Sequence, residues 1–258
     1  VTRRHFTFAC AGAQLVGSLD EAPGTSALLL VTGGNEVRSG AWSGQAQFAA
    51  RIAAAGFPVL RFDRRGCGDS EGINQEFRSS GADLAAARAA LAEQCPHVTR
   101  IVALGNCDAA SALMLDAGAG CDALVLCNPW TFGDDAADEA PPEVMRDHYR
   151  RRLADPAAIK RLLTGRIALG PLLRSLFAAA RTSPPPSTLA QAMAEGLGGF
   201  DGRVRILVAT RDRTGQAFLA TWSKSDPRVR ICADATHSWV EDHARDWLVA
   251  QTLEVLRG

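Results

Sequence analysis

Residues 26–32, Ser-Ala-Leu-Leu-Leu-Val-Thr, run apolar without alternation, and this stretch most narrows the folds open to the chain. A half-exposed strand alternates apolar and polar residues; a continuous run suits a strand buried on both faces, as in a parallel sheet covered by helices. Strand-like runs recur at 58–62, 101–104, 123–127, 203–210 and 229–232. Helix-like segments stand between them at about 42–55, 81–94, 109–117, 214–222 and 240–256, the first stopped by Gly56. Two further runs, 5–10 and 13–19, joined by Ala11-Gly12, read as an antiparallel hairpin at a sheet edge. The expectation is an α/β fold: a mostly parallel, eight-stranded sheet flanked by helices.

The rhythm breaks after Asn128-Pro129-Trp130. Residues 131–200 read as helical, are basic between Arg146 and Arg166, and carry the punctuation Ser183-Pro184-Pro185-Pro186-Ser187. That is too long for a connection inside a compact domain, so it is expected to be an inserted helical cap between core segments 1–130 and 201–258. The alternative is a peripheral decoration with no contact to a site.

Composition removes several function classes. Lys+Arg and Asp+Glu both number 28, which leaves no electrostatic footprint for nucleic acid. The seven cysteines are scattered, odd in number and without a close metal-ligand pair. Reduced thiols in a cytoplasmic setting are expected, with no metal and no cofactor. The first residues do not read as a signal peptide, and no apolar run approaches the ~20 residues that span a bilayer.

The chemistry is expected at 98–112, Val-Thr-Arg-Ile-Val-Ala-Leu-Gly-Asn-Cys-Asp-Ala-Ala-Ser-Ala. A β run ends at Gly105, small helix-forming residues begin at Asp108, and Cys107 sits between them. This is the strand–turn–helix layout of a nucleophile elbow, with Cys in the serine position of Gly-x-Ser-x-Gly and Ala109 replacing the last glycine. Small residues two before and two after the nucleophile keep strand and helix from colliding. The alternative is that Cys107 is a small buried core residue, as free cysteines usually are.

Two more residues follow late strands: Asp212 in Ala-Thr-Arg-Asp-Arg-Thr-Gly and His237 in Ala-Asp-Ala-Thr-His-Ser-Trp. In such sheets ligands gather outside the carboxyl ends of strands. Alone, Asp212 could be a turn carboxylate beside Arg211 or Arg213, and His237 a surface histidine; order and placement together argue for catalysis. His243 falls within the last helix and is less free to reach a strand end. In this reading His237 takes the thiol proton, Asp212 orients the imidazole, and the Cys107 thiolate attacks an acyl carbonyl. The oxyanion donors are expected from Asp108 and from Gly34 or Asn35 in the glycine-rich loop 33–40. Arg38 and Trp130 are candidate substrate-binding residues, although loop polarity alone would explain Arg38.

The run Phe62-Asp63-Arg64-Arg65-Gly66-Cys67-Gly68-Asp69-Ser70-Glu71-Gly72 is similar to the Asp-x-Arg-Gly-x-Gly-x-Ser stretch after strand four of many α/β-hydrolases, where its role is to turn the chain tightly. Asp63 and Arg65 are expected to hold that turn. Most of the chain resembles, more narrowly, the type 1 exosortase A system-associated hydrolases of bacteria. The resemblance runs through Gly-Gly-Asn-Glu-Val-Arg-Ser-Gly (33–40), the 58–72 run, Leu-Gly-Asn-Cys-Asp-Ala-Ala-Ser-Ala (104–112), Asn-Pro-Trp (128–130), His-Tyr-Arg-Arg-Arg-Leu (148–153), Leu-Leu-Thr-Gly-Arg (162–166) and Arg-Asp-Arg-Thr-Gly-Gln-Ala-Phe (211–218). It implies a hydrolase with a cysteine nucleophile and no settled substrate. The chain departs from the family pattern in reading Gly-Gly-Asn-Glu for Gly-Gly-Pro-Gln. It also reads Asp-Ala-Thr-His-Ser for Asp-His-Thr-Phe-Ser, which sets the histidine two residues later.

The expected activity is cleavage of an ester or thioester through an acyl-cysteine. The expected partner is a small-molecule acyl substrate, carrier-bound or presented as a thioester, with a homodimer as one oligomeric form. Two alternatives are an acyltransferase that passes the acyl group to an amine or alcohol, and a non-catalytic ligand-binding module on the same scaffold.

Overall fold

The computed structural model describes residues 2–132, 188–223 and 225–258. Its strands are β1 (Arg3–Cys10), β2 (Ala13–Asp20), β3 (Ser26–Val31), β4 (Val59–Phe62), β5 (Arg100–Asn106), β6 (Ala123–Cys127), β7 (Arg203–Ala209) and β8 (Val229–Cys232). They form one eight-stranded sheet in the order β1-β2-β4-β3-β5-β6-β7-β8. The β1–β2 and β2–β4 pairs are antiparallel and the rest are parallel. The expected architecture is therefore present.

The helices are α1 (Gly44–Ala54), α2 (Gly81–Gln94), α3 (Asp108–Leu115), α4 (Thr188–Gly198), α5 (Arg213–Thr221) and α6 (Asp242–Leu256). Side chains alternate across the central strands with period two, so each strand feeds two cores. Leu29, Ala103, Leu124 and Ile206 face one core with Leu84 of α2, Leu113 of α3, Met193 of α4 and Phe218 of α5. Leu28, Val102, Val125 and Leu207 face the other with Ile52 of α1 and Leu248 of α6. Burial on both faces is why β3, β5 and β6 read as unbroken apolar runs. The edge strand β1 alternates exposed and half-buried positions, as a strand covered on one face should.

Several boundaries differ from expectation for local reasons. Helix α1 starts at Gly44 and not at Trp42, because Trp42 and Ser43 hold left-handed φ values of 57° and 55°. Helix α3 stops at Leu115 and gives way to a 3-10 turn over Ala117–Gly120. Of the segment expected to form a cap, 133–187 lies outside the described residues. Its last part, Thr188–Gly198, packs on α3: a Cβ on Gly196 would stand 2.2 Å from the Met114 carbonyl oxygen. Strand β4 carries Arg61, 2% exposed, whose guanidinium lies 3.6 Å from the equally buried Asp20 carboxylate. Buried charges of this kind persist only when paired.

Candidate active site

Strand β5 delivers Cys107 to the carboxyl edge of the sheet, with φ 62° and ψ −127°. A non-glycine residue held there stores on the order of 1–3 kcal/mol of strain, which the surroundings must offset. They do so through backbone bonds. The Cys107 N–H donates to the Cys127 carbonyl at 2.9 Å, and its own carbonyl accepts from Ala110 at 3.1 Å and from Trp130 at 3.3 Å. Helix α3 folds back tightly enough that a Cβ on Gly105 would meet the Ala109 and Ala110 backbone at 2.6–2.8 Å. Glycine at 105 and the fully buried Ala109 are what let the elbow close.

Cys107 is partly accessible, whereas the other six thiols are buried. Burial pushes those six up, Cys10 to about 11 and Cys121 to about 12. His237 arrives from the loop after β8. Its Nδ1 lies 3.0 Å from the Asp212 carboxylate. Asp212 is 5% exposed and caps α5, accepting from the N–H groups of Thr214 at 3.1 Å and Gly215 at 3.0 Å. Two backbone donors and the imidazole thus share one carboxylate, a strong use of an N-cap aspartate. The hydrogen bond to Asp212 first, and the influence of the Cys107 side chain second, hold the His237 imidazolium up to about 10 despite partial burial. An imidazolium so favoured can carry the proton that a thiol gives up on becoming a thiolate.

The His237 loop is tied at both ends. Arg211 N–H donates to the Ala235 carbonyl at 2.9 Å, and Thr236 N–H to the Glu241 carboxylate at 3.1 Å. These ties hold His237 where it meets Asp212. His243 does not join them: its Nε2 lies 2.9 Å from the Ala233 carbonyl oxygen, at the start of α6.

The loop residues divide. Gly34 does not present a free donor, because its N–H is given to the Asp108 carboxylate at 2.6 Å. The Asp108 N–H, in the first turn of α3, has no acceptor within its own helix. Asn35 is steadied through its side chain, which accepts from Asn74 at 2.5 Å. The Arg38 guanidinium is held by Asp63, by Asp69 at 2.9 Å and by Ser18 at 3.0 Å, so it clamps the loop. Trp130 touches the elbow through its backbone, and its ring packs on Phe132 with centroids 4.6 Å apart.

Asp63 does sit inside the turn after β4, accepting from the Arg38 N–H at 2.5 Å and the Asp69 N–H at 3.1 Å. A Cβ on Gly68 would stand 2.4 Å from that carboxylate, so only glycine fits there. Arg65 reaches across to Asp83 on α2 at 2.6 Å.

Sequence reasoning missed three polar residues. Asn106 places its Nδ2 3.5 Å from His237 Nε2 and 3.3 Å from the His237 carbonyl oxygen. Its Oδ1 accepts from the fully buried Asn128 at 3.3 Å, and Asn128 in turn accepts from the Ala209 N–H at 2.8 Å. Arg64 is 3% exposed, bonds the Gly34 carbonyl, and stands 3.8 Å from Asp108. Asn106 and Asn128 directly follow apolar runs at 101–105 and 123–127, which was the available signal.

A sheet of this order, with reactive side chains gathered at its strand ends, defines the scaffold of the α/β-hydrolases. The model of the alpha/beta hydrolase family matches residues 28–251, and the chain belongs to that family. No curated protein matches it in sequence. Among solved structures it is similar to the esterase Pf2001 of Pyrococcus furiosus, at 14% identity over 99% of this chain and 90% of that one, with a TM-score of 0.59. It is also similar to Est1E from Butyrivibrio proteoclasticus, solved with ferulic acid bound, at 15% identity, 98% and 100% coverage and a TM-score of 0.59. A thioesterase domain from the curacin biosynthetic pathway matches at 14% identity, 98% and 100% coverage and a TM-score of 0.56. At these identities the likeness is one of fold. No helix among the described residues is long and apolar enough to cross a membrane.

Proposed function

We propose that this chain is a cysteine hydrolase of the exosortase A-associated kind, which cleaves an ester or thioester through an acyl-cysteine. The observation that carries the reading is the placement of His237 against both the Asp212 carboxylate and the Cys107 side chain. The thiol proton passes to His237 Nε2, and the thiolate attacks the acyl carbonyl carbon to form a C–S bond. The carbonyl electron pair moves onto oxygen, where the Asp108 and Asn35 N–H groups are the donors, the Gly34 N–H being held by the Asp108 carboxylate. When the pair returns, the bond to the leaving alcohol or thiol breaks, and that group takes the proton from His237. Water then gives its proton to His237 and attacks the thioester, releasing the acid and restoring the thiol. The chain enters the 131–200 segment beside Cys107, at Trp130, and this supports a cap over the reacting atoms.

The test is intact-protein mass spectrometry after exposure to a panel of acyl thioesters and activated esters. The wild type should acquire an acyl adduct on Cys107 that clears with time, and His237→Ala should keep whatever adduct it forms. Absence of any adduct across the panel, or activity retained in Cys107→Ala, rejects the reading. Clearance that requires an added amine or alcohol assigns the chain to acyl transfer.

A further inference from the structure

A cavity of about 460 Å³ lies between the sheet and helices α1 and α6, on the face opposite α2 and α3. Its volume falls within the range of small-molecule sites. Leu30 of β3 and Leu104 of β5 form the floor, and Phe48 of α1, Leu248 of α6 and Trp239 form the walls. Neither Cys107 nor His237 lines it, so it is distinct from the candidate active site. The two are neighbours, however: Asn106, which approaches His237 at 3.5 Å, is a wall of the cavity.

The mouth differs from the floor. Trp42, 87% exposed, and Val240, 47% exposed, stand at the opening, two of the few large apolar side chains the described surface leaves in water. Exposed apolar side chains beside a hollow floored by leucines mark a ligand site more than they do an ordinary surface. Arg51 and Arg245 also line the cavity, against the single lining carboxylate of Glu36, which Gln45 holds at 3.1 Å. Their present partners, Asp246 and Asp242, are 72% and 92% exposed. Pairs that wet are worth little, so a ligand carboxylate can take them over at small cost. Gly44 supplies the last piece: a Cβ built there meets nothing within 4 Å, at an ordinary helical φ of −61°.

We propose that this cavity binds a linear aliphatic carboxylate, its chain on Leu30, Leu104 and Phe48 and its head at Arg51 and Arg245. The site goes beyond the proposed hydrolysis and does not depend on it, since the reacting sulfur lies outside the cavity.

Decanoate is the probe, with butyrate and decanol as controls. Trp239 is 4% exposed and stacks on Trp247 with ring centroids 5.8 Å apart, so its emission reports occupancy. Wild type should bind decanoate saturably, by tryptophan emission and by calorimetry, and butyrate should not bind. Cys107→Ser should bind equally well, which separates this site from the acyl-cysteine reading. Gly44→Phe fills the mouth and should abolish binding. Arg51→Gln with Arg245→Gln, which leaves the cavity open, should weaken decanoate about tenfold and leave decanol unchanged. Failure of wild type to bind, unchanged binding in Gly44→Phe, equal loss of decanoate and decanol in the arginine double variant, or loss in Cys107→Ser overturns the proposal.

Discussion

His237 and Asp212 come from loops after different strands, yet His237 Nδ1 stands 3.0 Å from a carboxylate already fixed by the first turn of α5. The helix orients the carboxylate, and the carboxylate orients the imidazole. This division of labour has a consequence for pH. The His237 imidazolium is raised from 6.5 to about 10, chiefly by Asp212. A group whose pKa rises on folding contributes stability that is complete below its unfolded value and is lost as the pH climbs through its folded value. Asp212→Asn should therefore melt below the wild type, with the gap widest under pH 6.5 and narrowing toward about pH 10. Thermal denaturation across that range checks it, and a gap that widens with pH would contradict it.

The same substitution should reduce turnover by about 100-fold or more, because an uncharged amide neither favours the imidazolium nor enforces the right tautomer. Steady-state rates on an activated ester, compared with Asp212→Glu, measure the loss. A variant as fast as wild type would remove Asp212 from the site.

Among the seven cysteines, iodoacetamide at neutral pH should modify Cys107 first, since it alone is partly accessible and raises the pKa of a neighbouring histidine. Peptide mapping after brief exposure identifies the labelled residue. Labelling should slow by about tenfold in His237→Ala.

Asp108 holds the Gly34 N–H at 2.6 Å, next to the position where an oxyanion would form. Removing that carboxylate in Asp108→Ala should speed acylation by a neutral ester severalfold, about threefold to tenfold. It should also lower stability, because buried Arg64 loses the carboxylate 3.8 Å away. Pre-steady-state acylation rates and a denaturation curve separate the two effects. A slower acylation step would show that the carboxylate assists the reaction.

Gly105→Ala should destabilise the fold by about 1–3 kcal/mol, since the new methyl would press on the Ala109 and Ala110 backbone at 2.6–2.8 Å. Asn128→Ala should cost about as much for the opposite reason, leaving the Ala209 N–H buried without its acceptor. Urea titrations read both directly, and the second variant should also slow turnover by loosening Asn106 beside His237.

Much of the fold was legible because its determinants are local. Unbroken apolar runs at 26–32, 101–104 and 123–127 predict strands buried on both faces, and the small residues around Cys107 predict a tight strand-to-helix turn. Trp42 was misread because its helix-like pattern says nothing of a left-handed backbone set by the loop before it. The Arg38 clamp was not legible, because polarity in a loop does not reveal which carboxylate the chain will bring to it.

By itself the sequence determined the alternation of strands and helices, and which side chains stand at strand ends, since both follow from residue types within a few positions of one another. Only the tertiary structure decided the pairings: His237 with Asp212, Gly34 with Asp108, Arg38 with Asp63, Asn106 with Asn128, and α4 against α3. Each joins residues distant in the chain. Such a contact depends on how the layers pack, a property that no short window of sequence encodes.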